Sequence, residues 1–301
     1  MKFGVNIPNF DTHVTPQVLQ GWARLAEDLG YHAAMISDHV AITPDVQAEY
    51  PAPFYDPFTT LSWLAGTTDA IELGTTVTVL PYRNPLLTAR VAANIDQFSG
   101  GRFILGIGGG WARQEYAVLG ASFERRGAVI DEYLATIREL WTQDVASFDG
   151  EFVSFSDVHT GPRPARSPHP PVWVGGSSPA AIRRTVRYGD AWHPLHARLD
   201  WLRGEGLSRL RSAAETAGRP VPAFSPRIAL RLTDTALGED RLPGQGTLDQ
   251  VRADLTELES LGADYVVLDT DPGSPEGRRP PEDDWRTLET LAEHVLDLKG
   301  R

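Results

Sequence analysis

Asp38 and His39 form the only Asp-His dipeptide at the end of a predicted strand. An imidazole changes its charge near neutral pH, so His39 could donate or relay a proton to a ligand. Asp38 would then hold the imidazole tautomer or touch the ligand itself. The alternative is structural, with Asp38 capping a helix and His39 half-buried. Because two polar side chains lie together at a strand end, we favour the catalytic interpretation, with Glu115 as a second candidate acid or base.

A glycine-rich turn before a predicted helix could bind an anion, and it consists of Gly175, Gly176 and Ser177. Glycines let backbone N–H groups approach a phosphate, and the N-terminus of the next helix adds partial positive charge. Arg183 and Arg184, one turn further on, could strengthen such a site. The alternative is an ordinary tight turn in which a serine and a proline start the helix. The double glycine favours the phosphate interpretation.

Two further strand ends could contact a planar cofactor. One carries three successive glycines, Gly108, Gly109 and Gly110, and its neighbour ends at Thr75, Thr76 and Val77. Missing side chains beneath a pocket wall would admit a flat ring system. A flexible loop is the alternative, because three glycines alone specify nothing. The neighbouring threonine pair strengthens the cofactor interpretation.

Four residues are candidates for contact with a substrate, namely Asn6, Phe54, Trp111 and Trp192. Asn6 lies at the end of the first predicted strand, and the other three are aromatic. Aromatic side chains lie in the core more often than in a pocket, so a core position is the alternative. The loop over residues 41–54 is expected to contact the substrate, but it has no charge cluster that identifies one.

Metal-dependent hydrolysis and glycoside hydrolysis are rival chemistries for such a site. His193 and His196 come closest to the spacing of metal ligands, but Pro194 between them prevents a helical pair. We therefore expect no metal. Paired glycosidase carboxylates are also poorly supported, because Glu115 is the only easy partner for Asp38.

The composition of the 301-residue chain excludes several other classes of protein. It has no cysteine, which excludes disulfides, thiolate metal sites and a cysteine nucleophile. Its only lysines are Lys2 and Lys299, so neither Schiff-base chemistry nor a lysine phosphate loop is expected. A formal net charge of −12 argues against nucleic-acid binding. No signal segment follows Met1 and no apolar run approaches the roughly 20 residues of a membrane span, so we expect a cytoplasmic protein without membrane contact.

Short apolar strands that alternate with longer amphipathic helices position these candidate residues. The predicted strands cover residues 2–7, 33–37, 71–80, 103–107, 171–174, 191–192, 227–232 and 265–268. Helices are predicted over residues 16–30, 57–68, 85–98, 125–142, 199–217, 247–261 and 282–298, with a further one starting at 179. Eight such repeats predict an α/β fold, a single (β/α)8 TIM barrel with its active face at the carboxyl ends of the strands. An open doubly wound sheet is the alternative, but residues 6–10 lack its nucleotide-binding fingerprint.

Two segments interrupt the alternation of strands and helices. Residues 147–170 are typical of a hairpin followed by a tail rich in proline and arginine, and residues 237–246 form a glycine-rich loop. We expect them to be insertions after the fourth and seventh barrel strands, in loops of the kind that set specificity. Neither is long enough for a second domain, so residues 1–301 are predicted to form one domain.

The ordered series of strand-end motifs resembles the bacterial luciferase-like family of flavin and deazaflavin oxidoreductases, most closely the branch that uses coenzyme F420. The resemblance covers nearly the whole chain, and its specificity lies in the order of motifs that are individually weak. The motifs lie at residues 37–39, 56–58, 73–77, 83–85, 99–111, 115, 148–150, 162–171, 174–177 and 189–192.

The resemblance implies a barrel that binds its cofactor at the carboxyl ends of the strands. Asp38 and His39 would lie near the deazaflavin ring, with His39 as the acid or base. Thr76 and Val77 would form a bulge behind the ring, often with a non-proline cis peptide bond. The glycines at 108–110 would flank the ring, and the turn at 175–177 would take the phosphate.

The implied reaction is hydride transfer between C5 of coenzyme F420 and a small organic substrate. Two alternatives stay open, an FMN-dependent monooxygenase that uses oxygen and a catalytically silent barrel that binds a ligand. Members of the family are commonly dimers, so a homodimer is expected. The apolar stretch 85–98 is a candidate dimer face, although a buried core position explains that stretch equally well.

Two further features concern the ligands. F420 has an acidic oligoglutamyl tail, and basic residues that could line its exit are Arg83, Arg113, Arg125 and Arg126, unless they are solvated arginines at helix starts. The sugar-phosphate dehydrogenases of this family have an acidic residue just after the glycine turn, where this chain has Trp111. This departure indicates an apolar or aromatic substrate wall.

Overall fold

The computed structural model of this chain describes residues 1–298. Its strands are β1 (Lys2–Ile7), β2 (Ala33–Ile36), β3 (Glu72–Thr75), β4 (Thr78–Val79), β5 (Phe103–Gly108), β6 (Val145–Asp149), β7 (Ser154–His159), β8 (Val172–Gly175), β9 (Ala191–His193), β10 (Ala223–Phe224), β11 (Arg227–Ala229), β12 (Arg231–Leu232), β13 (Gln245–Gly246) and β14 (Tyr265–Asp269). Its helices are α1 (Pro16–Leu29), α2 (Pro44–Glu49), α3 (Pro57–Ala65), α4 (Pro85–Phe98), α5 (Arg113–Val118), α6 (Arg126–Thr142), α7 (Pro179–Tyr188), α8 (Leu199–Trp201), α9 (Leu207–Thr216), α10 (Leu248–Ser260) and α11 (Pro281–His294). A π-helical turn, Leu202–Gly206, joins α8 to α9.

Five of the helices begin at a polar residue that is followed by proline, and in four of them the polar side chain caps the helix. The side chains of Thr15, Asp56, Asn84 and Ser178 each accept a hydrogen bond from a backbone N–H of the first turn. Proline suits the next position because an N–H there would have no partner within the helix. Helices α1, α3, α4 and α7 therefore begin where the sequence predicts them.

Parallel strands form one curled sheet. Their order is β10-β9-β8-β5-β3-β2-β1-β14-β11, with β4 beside β5. The two ends of this path lie in one short segment, because β10 pairs with β9 while β11, a few residues later, pairs with β14. If β3–β4 and β10–β11 are each counted as one interrupted strand, eight parallel segments make up the sheet. The prediction of an α/β fold built on a curled parallel sheet is confirmed.

Side chains of the strands alternate between the two faces of the sheet. Ile7 and Ile36 pack into a large core between the sheet and the helices. Met35, Ile104 and Trp173 belong to a smaller cluster on the opposite face. The face that a residue takes along its strand therefore decides whether it packs against helices or inside the sheet.

Several predicted boundaries differ from the structure. The third strand, predicted as continuous over residues 71–80, is interrupted between Thr75 and Thr78, and a 3₁₀ turn follows at Leu80–Tyr82. The last strand extends to Asp269, one residue beyond the predicted end. The short helices α2 and α5 were not predicted, because each spans only six residues and shows little hydrophobic periodicity.

The two irregular segments contain strands of their own. Strands β6 and β7 form an antiparallel pair, which is the hairpin that the sequence predicts. Residues 245–246 form β13, which pairs with β12 in parallel. That these segments are insertions remains a prediction. Within residues 1–298, no helix combines the length and the apolar character needed to cross a membrane.

Candidate active site

His39 and Glu115 form a buried pair beyond the carboxyl end of β2. Nδ1 of His39 lies 2.6 Å from Oε2 of Glu115, which belongs to α5. The other carboxylate oxygen accepts hydrogen bonds from the N–H groups of Val40 at 2.6 Å and Ala41 at 3.0 Å. Burial disfavours the charged carboxylate, but His39 and the two N–H groups outweigh burial and hold the pKa of Glu115 below its usual range. Glu115 is therefore a carboxylate at neutral pH.

The pair determines which atom of His39 can act on a ligand. A carboxylate only accepts hydrogen bonds, so Nδ1 carries the proton that is shared with Glu115. Nε2 is the remaining nitrogen, and none of the described residues hydrogen-bonds to it. An imidazole that is backed by a carboxylate can give or take a proton at this second nitrogen. The two residues predicted as acid or base thus come together; their catalytic role remains a prediction.

Three aromatic rings surround the imidazole of His39, and we refer to Tyr50, Phe54 and Trp111 as the aromatic cage. Their ring centres lie 5.4, 5.4 and 5.8 Å from the imidazole centre, respectively. Phe54 also stacks on the buried ring of Phe10 at 5.4 Å. Trp111 is 45% exposed, so part of its surface is free for a ligand. Two of the predicted substrate residues, Phe54 and Trp111, therefore lie beside His39.

Asp38 does not hold the His39 tautomer, and this prediction is wrong. Its carboxylate accepts two hydrogen bonds from Arg83, at 2.6 and 2.8 Å, and one from the N–H of Val79 at 2.9 Å. Arg83 also donates to Asp56 at 2.8 Å. Burial opposes the guanidinium charge, but the two carboxylates raise the pKa of Arg83. Arg83 is therefore committed to this ion pair, which leaves it unavailable for an acidic cofactor tail.

The chain between β3 and β4 forms a bulge. The Thr76–Val77 peptide bond within it is cis, as the resemblance implies. The hydroxyl of Thr75 donates to the carbonyl of Gly106 at 2.7 Å, and the carbonyl of Thr76 accepts from Nη1 of Arg227 at 2.6 Å. Thr75 is fully buried, so its hydroxyl holds the bulge against β5 rather than facing a ligand.

The side chain of Val77 occupies space that neighbouring glycines leave open. A Cβ at Gly108 would lie 2.5 Å from Cγ2 of Val77, and a Cβ at Gly175 would lie 3.1 Å from Cγ1. A Cβ at Gly110 would meet Val79 at 2.7 Å. The prediction that Gly108 leaves room for a flat ring is therefore wrong, because Val77 fills that room. These glycines make the bulge possible.

A buried ion pair behind the bulge was not predicted. Nε and Nη2 of Arg227 donate to one carboxylate oxygen of Asp269, at 2.9 and 2.5 Å. The side-chain amide of Asn6 donates to the other oxygen at 2.9 Å. Burial would raise the pKa of Asp269, but the Arg227 charge outweighs it and holds that pKa well below its usual range. Asn6, predicted to contact a substrate, is thus tied to this ion pair through its amide nitrogen.

His193 braces the bulge from another side. Its Nδ1 lies 2.5 Å from the carbonyl oxygen of Ser225, and its Nε2 lies 2.8 Å from the hydroxyl of Thr76. A carbonyl oxygen only accepts, so Nδ1 donates and the Thr76 hydroxyl donates to Nε2. Burial lowers the pKa of His193 to about 4, and the nearby Arg227 charge acts in the same direction. His193 is therefore neutral at neutral pH.

Several buried polar atoms around the strand ends have no hydrogen-bond partner in the described part of the chain. They are Oδ1 of Asn6, Oδ1 of Asn9 and the Ser225 hydroxyl. Buried polar atoms in proteins normally form hydrogen bonds. Such a set fits a ligand that brings several polar atoms on a flat framework, as a flavin or deazaflavin ring does.

Trp192 lies away from the candidate site, and the prediction that it contacts a substrate is wrong. Its ring is fully buried against Trp201 and Phe224, with ring centres 6.0 and 5.6 Å away. Its indole N–H donates to the carbonyl of Gly176 at 2.8 Å. Side chains alternate along β9, so Trp192 faces the helices while His193 faces the bulge.

The turn predicted to bind phosphate leads directly into α7. Gly176 has a φ of 97°, a conformation that favours glycine. Ser178 caps the helix by accepting from the N–H of Ala181 at 3.2 Å. Ser177 uses neither its N–H nor its hydroxyl in a hydrogen bond to any residue of 1–298. Free donors at a helix N-terminus fit an anionic group, and this role remains a prediction.

Among the arginines that could bind an acidic tail, only one keeps its charge unpaired in the described chain. Arg113 and Arg125 each bind an exposed glutamate, and Arg184, near the phosphate turn, binds Asp131 at 2.6 Å. Arg126 instead donates to the carbonyl of Phe123 and lies 3.8 Å from that ring centre. It borders Gly109, where a Cβ would lie 3.7 Å from its Cδ. Arg126 is therefore the best placed of these arginines.

Sequence reasoning missed Tyr50, His193, Arg227 and Asp269. Asp269 directly follows the apolar run 265–268, and Arg227 begins a predicted strand, so a charged residue at each position was a usable signal. Their mutual contact was not readable, because 42 residues separate them. His193 was considered only as a metal ligand, and residues 1–298 contain no group of three or more acidic or histidine side chains placed to hold a metal ion.

Comparison with known proteins places the chain in a family. Residues 1–242 match the family model described as luciferase-like monooxygenase. The chain belongs to this family. The family resemblance deduced from the motifs is therefore confirmed. Solved structures that share the fold of this chain include two F420-dependent enzymes and a Baeyer-Villiger monooxygenase in complex with FMN.

Two relatives have sequences similar to this luciferase-like chain. An uncharacterised protein of Mycobacterium tuberculosis is 32% identical over 205 residues, which cover 64% of this chain and 71% of the relative. A pyrimidine monooxygenase, RutA, of Allorhizobium ampelinum is 34% identical over 211 residues, which cover 66% of this chain and 56% of the relative.

Two solved structures share the fold over nearly the whole length. The monooxygenase RslO1 from Streptomyces bottropensis superposes with a TM-score of 0.80 at 24% identity, covering 98% of each chain. The coenzyme F420-dependent tetrahydromethanopterin reductase from Methanopyrus kandleri superposes with a TM-score of 0.78 at 18% identity, again covering 98% of each chain. Likenesses at these identities show the fold.

Proposed function

We propose that this luciferase-like protein is an F420-dependent oxidoreductase that transfers a hydride between the deazaflavin C5 and a small organic substrate. The observation that carries the proposal is the His39–Glu115 pair at 2.6 Å. Reduction of a carbonyl by hydride requires a proton at the carbonyl oxygen, and a buried imidazole with a carboxylate behind it is suited to supply one.

The bulge and the phosphate turn would hold the cofactor. Thr76 and Val77 would form the wall behind the ring, and the unpartnered amide oxygens of Asn6 and Asn9 would bind its polar atoms. Gly176 and Ser177 would bind the phosphate through N–H groups at the start of α7. Arg126 would then attract the acidic tail. Asp38 would act only indirectly, by fixing Arg83 and Val79 beside the bulge.

The residues of the chain supply orientation and a proton. When bound, reduced F420 provides a hydride from C5 of its ring. His39, protonated at both nitrogens, would release the Nε2 proton to the substrate oxygen as the carbonyl carbon gains the hydride. Glu115 would stabilise the charged imidazole before this step and keep Nδ1 protonated after it. The reverse sequence would oxidise an alcohol, with His39 accepting the proton.

An FMN-dependent monooxygenase is the second candidate function. It is supported by two monooxygenases among the similar proteins, RutA and RslO1. A catalytically silent barrel, the third alternative, is less well supported, because a silent protein has no need of the fully buried Glu115 held against His39.

Turnover without oxygen tests the proposed function. The protein is mixed with reduced F420 and a panel of aldehydes and ketones under strict exclusion of oxygen, and cofactor oxidation is followed by absorbance. We expect oxidation only when protein and carbonyl compound are both present. Turnover that needs reduced FMN and oxygen instead would overturn the F420 assignment in favour of the monooxygenase.

We also propose that the protein is a homodimer that uses α4. Leu87 and Phe98 on this helix are 56% and 64% exposed, although both are large and apolar. Their spacing brings both side chains to one face of α4, and a shared exposed apolar face marks an interaction site. Analytical ultracentrifugation should give twice the mass of the chain, and Leu87→Glu should shift it to the monomer. A monomeric natural protein would contradict this proposal.

A further inference from the structure

We infer that the site selects an uncharged aromatic substrate, with its ring against the aromatic cage and a polar atom at Nε2 of His39. The inference rests on the proposed function at one point, namely that the substrate lies on the His39 side of the site. It names a substrate class from the rings and charges around that imidazole.

The cage has free aromatic surface on one side and a packed core on the other. Phe10 is 1% exposed and stacks on Phe54, so it belongs to the core that supports the cage. Trp111, in contrast, is 45% exposed although its ring lies 5.8 Å from His39. An indole left half in solvent beside a buried imidazole is a surface that an aromatic ligand would cover.

Each arginine that contacts this region is already neutralised by carboxylates. Arg83 binds Asp38 and Asp56, and Arg227 binds Asp269. Arg278 lies over the Phe10 ring with its guanidinium 4.9 Å from the ring centre.

Arg278 is paired in the same way. It donates to Asp271 at 3.1 Å and lies 3.6 Å from Asp11. Nη2 of Arg278 donates to the carbonyl of Glu49 at 2.5 Å. This hydrogen bond anchors the backbone next to Tyr50 of the cage. The charges of all three arginines are therefore balanced by carboxylates of the protein.

A charged substrate would find no partner at this end of the site. An anion placed in the cage would lose its hydration. The arginine charges are held in the ion pairs described above, and the charge of a protonated His39 is already balanced by Glu115. A cation would face the aromatic rings, but it would lie beside a His39 that must itself carry positive charge to donate a proton. A neutral aromatic compound avoids both costs.

The free nitrogen of His39 sets where a polar group of the substrate would lie. Nε2 accepts a hydrogen bond when the imidazole is neutral and donates one when His39 is protonated. The substrate class is therefore an uncharged aromatic ring that bears a carbonyl or hydroxyl group next to it. The 45% exposure of Trp111 leaves the cage open on that side, so larger fused rings also fit this class.

Three matched ketones test the inference. The full chain is titrated, with and without F420, against acetophenone, 4-acetylbenzoate and its methyl ester, and binding is read from tryptophan fluorescence. We expect acetophenone and the ester to bind at least tenfold more tightly than the anion. The ester controls for size, so a preference for 4-acetylbenzoate, or equal binding of the ester and the anion, would overturn the inference. Absence of acetophenone binding in both forms would overturn it as well.

A charge introduced at the cage provides an independent test. Trp111→Arg places an unpaired cation beside His39, and it should reverse the preference, so that 4-acetylbenzoate binds more tightly than its ester. Trp63→Arg is the matched control, since Trp63 is 39% exposed on α3, away from the cage, and it should leave the preference unchanged. An unaltered preference in Trp111→Arg would contradict the assignment.

These outcomes are separable from those of the proposed function. Ketone binding is measured without cofactor as well as with it, so failure of F420 to bind leaves the selectivity measurement intact. If F420 supports turnover of aliphatic and anionic carbonyls as well as it supports acetophenone, the proposed function stands and the substrate class is wrong.

Discussion

At the scale of single residues, three buried carboxylates organise the candidate site. Glu115 holds His39 and the chain at Val40 and Ala41, while Asp269 holds Arg227. Asp38, the third carboxylate, accepts hydrogen bonds from Arg83 and holds its guanidinium in place. Removing one partner of such a pair leaves an uncompensated buried charge, so each is expected to be sensitive to substitution.

Glu115→Gln should separate proton transfer from cofactor binding. Glutamine keeps an oxygen for the N–H groups of Val40 and Ala41 but removes the negative charge beside His39. We expect kcat to fall by roughly 10²- to 10⁴-fold, the usual contribution of general acid–base catalysis. The dissociation constant of the cofactor should stay within a factor of a few. Glu124→Gln is the control, because Glu124 belongs to an exposed ion pair with Arg113. An unchanged kcat in Glu115→Gln would show that Glu115 has no part in the mechanism.

His193 should make stability depend on pH. Its ordinary pKa of 6.5 falls to about 4 in the folded chain because of burial, so the unfolded state binds the proton first as pH falls. The folded state should lose stability from about pH 6.5 downwards, by about 2 kcal/mol between pH 7 and pH 5. Urea unfolding at the two pH values, compared between the natural protein and His193→Gln, measures this contribution. Equal pH dependence in both proteins would show that His193 is not held neutral.

At the scale of elements, the interruption of the third strand governs the site. β3 and β4 are separated by Thr76 and Val77. The carbonyl of Thr76 accepts a hydrogen bond from Arg227, and its hydroxyl donates one to His193. The glycines of β5 and β8 provide the space for Val77. One bulge therefore depends on four strands, which explains why its sequence signals are spread along the chain.

Gly108→Ala should disturb the bulge. Its Cβ would lie 2.5 Å from Val77, so the substitution should lower the free energy of unfolding by about 1–3 kcal/mol, the usual cost of overpacking. Adding Val77→Ala should restore part of the loss. At Gly109 a Cβ would meet its nearest atom at 3.4 Å, an ordinary contact, so Gly109→Ala is the matched control. Thermal or urea unfolding would contradict the account if both alanine variants lost the same stability.

At the scale of the whole molecule, the order of elements was predictable and their contacts were not. The capped starts of α1, α3, α4 and α7 and the parallel strands follow from proline, cap residues and apolar runs that are local in sequence. The pairing of His39 with Glu115 joins residues 76 positions apart, so the sequence favoured the adjacent Asp38 as the residue that holds the His39 tautomer.

Two wrong assignments have one physical cause. Trp192 and Gly108 lie at strand ends as predicted, but the strand decides which face each one takes. Trp192 faces the helices and Gly108 faces Val77. Strand-end position alone therefore identifies the neighbourhood of a site, and the alternation of side chains is needed to tell which residues face the ligand.

The most direct test of the central claim is a fluorescence titration of the purified protein with F420, with FMN titrated in parallel. Hydride transfer by F420 predicts micromolar binding of F420 and weak binding of FMN. Gly176→Asp, which places a negative charge in the phosphate turn, should abolish the binding. Tight binding of FMN with no binding of F420 would contradict the account and identify an oxygen-using monooxygenase.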